Sequence, residues 1–421
     1  MTAHPARVEF TLILRPFPGI DRVTPHVDPD MSEQLHVAIA LDGAGWHPAA
    51  WRADSARPGE LLSARYWVDQ VRVAERGLVD LVTIEDAFSL WRRDAQPRTD
   101  RAVGHLDAEL IAARVAPAVP NIGLVPTVVA THTEPFHVSK AIATLDHVSH
   151  GRAGVRIRIS HRADEAPLLG RRTGDDPVAD LLDEAADHIE VIRGLWDSWE
   201  DDAEIRDAAT GRFVDRDKLH YIDFEGRFFS VRGPSITPRP PQGQPVVAAL
   251  AHHDDVYRLV GRSADLGFVT PGDPDQARHA FDTVQAARQE FGRDDEPVHV
   301  FADLTVFLGP TRDAAVARKA RLDDLAGEEF VDDAPSVVGT AADVADRIVE
   351  LANPTTGLTG VRLRPGSIPD DLRSIADDLV PELQRRGVFR TEYREESLRS
   401  RLGLDRPTNR YADRRSKAGV R

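Results

Sequence analysis

Polar side chains able to bind or titrate gather where short runs rich in β-branched residues stop. The run HVAIALD (36–42) ends in Asp42 and leads to Trp46 and His47, and VDLVTIED (79–86) closes on Glu85 and Asp86. IGLVPTV (122–128) carries Thr127 and leads to Thr131 and His132, while GVRIRIS (154–160) runs into Ser160, His161 and Arg162. PVVAAL (245–250) leads to His252, His253, Asp254 and Asp255, and LGFVT (266–270) ends in Thr270. His47 is the candidate acid/base or hydrogen-bonding group, because imidazole titrates nearest neutrality; its place before Pro48 also suits a plain turn residue. Asp86 is either a binding carboxylate or the cap of the helix that follows. Thr127 offers its hydroxyl to a ligand or to nearby backbone. Adjacent His252 and His253 on extended backbone point in opposite directions, so with Asp254 and Asp255 they predict a helix cap, and no metal site is expected.

The alternation in GVRIRIS puts Val155, Ile157 and Ile159 on one face and Arg156, Arg158 and Ser160 on the other. An edge strand facing water would carry two guanidinium groups at little cost. Inside a barrel the same pair needs acidic partners, since an unpaired buried cation costs several kcal/mol, roughly. Asp303 and Glu85 or Asp86 are the candidate partners, and Arg362 and Arg364 on a later run suggest a wider ionic layer. Arg156 then belongs to internal salt bridges, whereas Arg158, nearer the open end, is a candidate for anion binding.

These residues require a framework that brings many run ends to one face. Two further runs, HVFADLTVFL (299–308) and LTGVRLR (358–364), complete a set of strands alternating with amphipathic helices at 64–76, 107–116, 134–147, 177–196, 254–263, 274–291, 313–326, 340–352 and 370–387. Gly77, Gly194, Gly292 and Gly387 stand where helix C-caps belong, and Thr340 with Asp343 forms an N-terminal capping pair. Eight alternating βα units predict an α/β fold, a (β/α)8 TIM barrel with its site at the C-terminal ends of the strands. A doubly wound open sheet is the alternative. The expected organisation is an N-terminal extension at 1–34, a barrel at 35–387 and a basic tail at 388–421 that makes an oligomer contact. A long insertion at 197–244, between the fourth helix and the fifth strand, is expected as a lid or an oligomer contact.

The 421 residues carry a net charge of −16, which disfavours nucleic acid or an anionic membrane as a partner. No apolar run approaches the roughly 20 residues needed to cross a bilayer, and the first residues lack an apolar signal segment, so a cytoplasmic protein is expected. Without cysteine, thiol catalysis, thiolate zinc and disulfides are excluded, and redox chemistry must come from a dissociable cofactor. Nucleotide and hydrolase motifs of the GxxxxGK[ST], GxGxxG and GxSxG types are missing.

Four passages bear a family likeness: "AERGLVDLVTIEDAF" (74–88), "ATLDHVSHGRAGVRIRIS" (143–160), "GLWDSWEDDAEIRDAATGRFVDRDKLHYIDFEGRFFSVRGPSITPRPPQGQPVV" (194–247) and "FRTEYREESLRSRLGLDRP" (389–407). Through them the chain resembles the bacterial luciferase-like flavin-dependent monooxygenases, in the nitrilotriacetate, EDTA and dibenzothiophene sulfone monooxygenase branch. The resemblance implies a TIM barrel that takes reduced, dissociable FMN from a separate NAD(P)H:flavin reductase and uses O2 to oxygenate a small organic substrate. It implies Asp86 and Thr127 as flavin-ring or ribityl contacts, Ser160 as a contact at the fourth strand, His252 in the phosphate loop, and a cover formed by 197–244. Arg158 and Arg162 are the substrate or anion contacts, and a homodimer or homotetramer is expected.

The chain departs from that pattern in three places. VRIRIS replaces an ending like WNxVTS, Leu181 and Leu182 replace an Arg-Tyr pair, and "AALAHHDDVYRLVG" replaces a loop like QAGxSxxG. Asp254 and Asp255 would repel a phosphate there. Arg162, Arg171, Arg172 or a histidine would then serve it, or the chain uses F420 on the same barrel, or it is a flavin- or ligand-binding paralogue with weak catalysis.

Overall fold

Residues 35–90, 98–395 and 397–412 are described in the computed structural model. The expected N-terminal extension and the last residues of the tail lie outside them. In chain order the strands are β1 (His36–Leu41), β2 (Leu81–Ile84), β3 (Gly123–Val129), β4 (Gly154–Arg158), β5 (Glu204–Asp207), β6 (Arg212–Val214), β7 (Phe224–Glu225), β8 (Ser230–Val231), β9 (Val246–Ala251), β10 (Leu266–Val269), β11 (His299–Leu308), β12 (Ser336–Gly339) and β13 (Gly360–Pro365). The helices are α1 (Ala64–Arg76), α2 (Ala108–Val115), α3 (Pro135–Ser149), α4 (Ala166–Leu169), α5 (Val178–Asp197), α6 (Asp254–Ser263), α7 (Pro274–Glu290), α8 (Arg312–Ala326), α9 (Ala341–Leu351), α10 (Asp370–Ser374), α11 (Val380–Arg385) and α12 (Leu398–Arg401). None is long and apolar enough to cross a membrane among the described residues.

β1 to β4, β9, β10, β11 and β13 pair edge to edge in parallel, and β10 bonds to both β9 and β11, closing an eight-stranded barrel. The open-sheet alternative is thereby excluded. A strand covered on both faces reads as a near-continuous apolar run, and β1 and β3 are buried along their whole length. One face, with Val37, Ile39, Val82 and Leu124, packs under the helices, each side chain contributing about 1.5–3 kcal/mol.

β12 was not legible in the sequence, because four residues running from exposed Ser336 to buried Gly339 give no periodicity to read. It takes over the upper edge of β11, pairing Thr305 with Ser336 and Leu308 with Gly339, where the shorter β10 has ended. The segment before it is thereby tied to the barrel rim.

Helix ends follow their capping residues. Asp107 accepts from the Leu110 N–H, and Thr340 and Asp343 cap α9 reciprocally. Gly292 and Gly387 adopt positive φ after their helices. Gly194 does not end α5: the helix continues to Asp197 because Leu195 and Trp196 are core residues.

The lumen is layered. At its lower end Ala38, Leu81, Val125, Leu266 and Phe301 form an apolar layer, and Leu398, Leu402 and Leu404 enter it from the tail. These tail residues therefore act as an intramolecular floor. Arg401 donates to the Asp80 and Asn121 carbonyls (3.0 and 2.8 Å), and His299 Nε2–H to that of Leu402 (2.6 Å).

The 197–244 insertion lies largely with this floor and does not span the mouth. Buried Arg239 pairs with Asp197 and donates to the Pro407 carbonyl (2.8 Å), and the His220 ring stacks on Tyr411 at 4.4 Å. Only the β7–β8 hairpin climbs beside α5, where Arg227 pairs with Asp180 (2.7 Å). Its Phe228 and Phe229 reach the rim beside Thr131 and Arg171.

Two outcomes test the floor. Leu398→Ala should lower unfolding free energy by about 2–5 kcal/mol, read by denaturant titration, because a buried leucine leaves a cavity. Burial, reinforced by His36, holds the His299 ring at about 4 against an ordinary 6.5. The unfolded chain protonates first, so this contribution is complete above pH 6.5 and is lost progressively as pH falls toward 4; His299→Gln should flatten that part of the stability profile.

Candidate active site

Above the apolar layer the barrel interior is ionic. Asp303 on β11 pairs with Arg362 (Nε to Oδ1, 2.8 Å) and with Arg364 (Nε to Oδ2, 3.0 Å), both on β13. Arg362 also donates to Thr83 Oγ1 (3.1 Å) and reaches Glu85 (3.5 Å), with its guanidinium 4.3 Å over the Phe268 ring. From β4, Arg156 donates to Thr127 Oγ1 (2.9 Å) and pairs with Glu85. Burial draws the Arg156 guanidinium down to about 10, with Glu85 opposing, so it remains a cation at neutral pH. Burial would raise the Asp303 carboxyl, but Arg362 and Arg364 hold it below the ordinary range. GVRIRIS is thus an interior strand, and the expected ionic layer is present.

The layer also anchors a segment over the mouth. Between α8 and β12, Asp332 accepts from Thr305 Oγ1, and Asp332 and Asp333 both pair with Arg364. Burial would raise the Asp333 carboxyl; Arg364 holds it far below its usual value. Phe330 packs 5.1 Å from the His47 ring, and Glu328 pairs with Arg98 and Arg101. Residues 328–333 thus lie over the C-terminal end of the barrel, with Glu328, Glu329, Phe330 and Val331 lining the cavity there. Their only sequence signal was an acidic run around Phe330 and Val331 following the α8 cap at Gly327.

Under this cover lies a cavity of about 380 Å³ at the C-terminal end of β1 and β2. Trp51, Leu61, Trp67, Leu106 and Phe330 provide apolar walls, with His47, Glu85 and Arg101 as polar points. His47 is fully committed: the Ala49 N–H donates to Nδ1 (3.1 Å), which leaves Nε2–H to donate to Asp323 (3.0 Å). Burial holds the ring below the ordinary imidazole range despite Asp323. It serves here as a neutral support for Phe330, whose own N–H donates to Asp323 (2.9 Å).

The other predicted residues divide by position. Asp86 holds local structure, accepting from the Ala87 and Ala108 N–H groups (2.7 and 2.9 Å) while its Oδ1 lies 3.0 Å from His105. Thr127 lies in the lumen beneath Arg156. Ser160 is buried at the rim, its N–H bonded to Thr131 Oγ1 (3.0 Å). Arg158, half-buried, donates to the Asp86 carbonyl (2.7 Å) and has no carboxylate partner among the described residues. Arg162 stands further out, paired with Asp164 (2.7 Å).

His252 joins the far side of the mouth, with Nδ1 3.1 Å from Thr270 Oγ1 and Nε2 3.3 Å from Asp333. Neither Asp254 nor Asp255 caps α6. Its N-cap is His253, which makes no side-chain cap bond, and Asp254 pairs instead with His279 (2.9 Å). Arg171 is paired with Glu134 and Arg172 with Glu184. The aromatic walls of the cavity suit a flat ring system, whereas the two aspartates in the first turn of α6 do not suit a phosphate there.

The model of the luciferase-like monooxygenases matches residues 45–356. The N-acetyl-S-(2-succino)cysteine monooxygenase of Bacillus subtilis (strain 168) is 29% identical, over 90% of this chain and 99% of its own length. Nitrilotriacetate monooxygenase component A of Aminobacter aminovorans is also 29% identical, over 90% and 99%. Among solved structures, the long-chain alkane monooxygenase LadA superposes with a TM-score of 0.80 at 22% identity, covering 88% of this chain and 95% of that one.

The ionic layer makes a sharp expectation. Arg156→Met should cost about 3–5 kcal/mol in denaturant unfolding, because it strips a cation from Glu85 inside the lumen. Replacing both members, as Arg156→Met with Glu85→Gln, should recover part of that loss.

Proposed function

Because the chain belongs to the luciferase-like monooxygenase family, we propose that it is the oxygenase component of a two-component system, using reduced, dissociable FMN from a separate NAD(P)H:flavin reductase. The observation that carries this reading is the aromatic-walled cavity at the C-terminal mouth, the place where barrel enzymes hold their reactants. Bound reduced flavin would supply the electron pair for O2, the substrate gaining one oxygen atom and the other leaving as water. Trp51, Trp67 and Phe330 would exclude solvent from the reactants. Ser160 would contact the cofactor at the end of β4, and His252 from the opposite rim. Asp86, Thr127 and His47 would act by positioning, each holding a neighbouring element that borders the mouth.

Arg158 would orient an anionic group of the substrate, since its guanidinium has donors beyond the one bonded to the Asp86 carbonyl; Arg162 would assist from the rim. The names of two relatives, nitrilotriacetate and N-acetyl-S-(2-succino)cysteine monooxygenase, support a small carboxylated substrate. Dependence on a NAD(P)H:flavin reductase points to a cytoplasmic setting, and a homodimer or homotetramer is the proposed assembly. F420 hydride transfer on the same barrel is the weaker reading, because the relatives matching nine-tenths of the chain are named as monooxygenases.

Anaerobic titration should show micromolar or tighter binding of reduced FMN and weaker binding of F420. No binding of FMN, reduced FMN or F420 at that level would overturn the enzyme reading. Arg158→Met should weaken binding of a carboxylated substrate about 10–100-fold, with the thermal unfolding midpoint nearly unchanged. Loss of soluble protein would instead assign Arg158 to the fold.

A further inference from the structure

Among the described residues that line the cavity at the mouth, Arg101 is the one lysine or arginine, and its side chain is 8% exposed. Two of the acids in the same lining are answered elsewhere: Glu85 by Arg156 and Arg362, and Glu329 by Lys319 at 3.9 Å. Asp42 belongs to the turn after β1, where its carbonyl accepts from the Gly45 N–H (2.8 Å). The chain on either side of Arg101 is fixed to the cavity wall. Arg98 pairs with Asp100 (2.7 Å), and the Asp100 carbonyl accepts from Nε1–H of Trp51 (3.2 Å), itself one of the aromatic walls.

The bonding of Arg101 is half complete. Its Nη2–H donates to Oε1 of Glu328, whereas Nε, on the same edge of the guanidinium, is buried and has no partner. A desolvated donor left unpaired is unfavourable, and a carboxylate that takes Nε and Nη2 together makes the two parallel bonds that suit arginine. Glu328 supplies only one of them. Its side chain is 54% exposed and also accepts from Arg98 (3.2 Å), so a turn into solvent gives up little more than a surface ion pair.

We infer that Arg101 is an anion-binding residue of this cavity, taking the carboxylate of an organic acid along its Nε and Nη2 edge, and that Glu328 occupies part of that position when no acid is bound. Trp51, Leu61, Trp67 and Phe330 select the rest of the molecule, a flat or apolar body next to the carboxylate. Arg158 does not line this cavity, so an acid that engages both arginines carries two anionic groups. That the acid is the oxygenation substrate rests on the function proposed above; the carboxylate site itself does not.

Titration of the flavin-free protein with benzoate, and with benzamide as its uncharged counterpart, tests the site by calorimetry at constant ionic strength. Saturable binding of benzoate, about 10–100-fold tighter than benzamide, is expected, and Arg101→Met should abolish that preference. No saturable benzoate binding, or a preference that survives in Arg101→Met, would overturn the inference whatever the flavin titration shows. Should Arg101→Met not fold, Arg101→Lys serves: it keeps the charge without the fork and should weaken benzoate about tenfold, and an unchanged affinity would count against the site. Glu328→Gln should tighten benzoate roughly two- to fivefold by removing the competing carboxylate; no tightening would remove Glu328 from the position. Inorganic phosphate separates a carboxylate from the phosphate of a flavin. It should compete more weakly than benzoate, and equal or stronger competition would overturn the carboxylate assignment.

Discussion

Three arginines inside the barrel must be neutralised, and much of the upper half of the molecule is arranged to do so. Arg156, Arg362 and Arg364 project into a lumen that in most barrels is filled by branched apolar side chains. Glu85, Asp303, Asp332 and Asp333 answer them from β2, β11 and the segment after α8. Buried charges tolerate little misplacement, because removing or shifting one leaves its partner desolvated and unpaired. The network therefore fixes which strands face one another and where the segment over the mouth lies.

The two ends of the barrel are closed by different physics. Below, leucines of the tail enter an apolar layer and Arg401 donates to the carbonyls that precede β2 and β3, so closure combines area burial with satisfied backbone. Above, the cover is held by ion pairs to Arg364 and by Phe330 against His47. Ion pairs with a half-exposed carboxylate such as Asp333 separate more readily than a leucine leaves a core.

Polar residues at the strand ends fall into two kinds once their partners are known. Asp86 and His47 are bonded within the protein, and Thr127 accepts from Arg156. Arg158 retains donors beyond its one carbonyl bond, and the Glu165 carboxylate oxygens and His132 Nε2 are unbonded. Residue type at a strand end thus locates the working face, but residual bonding capacity separates the groups available to a ligand from those that build its surroundings.

The barrel was legible from local sequence because strand and helix periodicities depend on neighbours within one element. α1 and α6 begin and end where their apolar stripes and flanking residues predict, and the Thr340–Asp343 cap is local as well. The arginine alternation even specified that acids must stand opposite: Glu85 pairs with Arg156, whereas Asp303 pairs with Arg362 and Arg364 and Arg158 takes only a carbonyl. The sequence could not show that Asp332 and Asp333, 31 or 32 residues from Arg364 along the chain, are carried back over the mouth. Nor could it show that Leu398, Leu402 and Leu404 of the tail enter the lower end of the barrel, or that Glu165 comes within 3.9 Å of His132 without a bond. Those facts belong to the tertiary structure alone, since burial and the partner of a charged group are set by chain crossings that no local periodicity encodes.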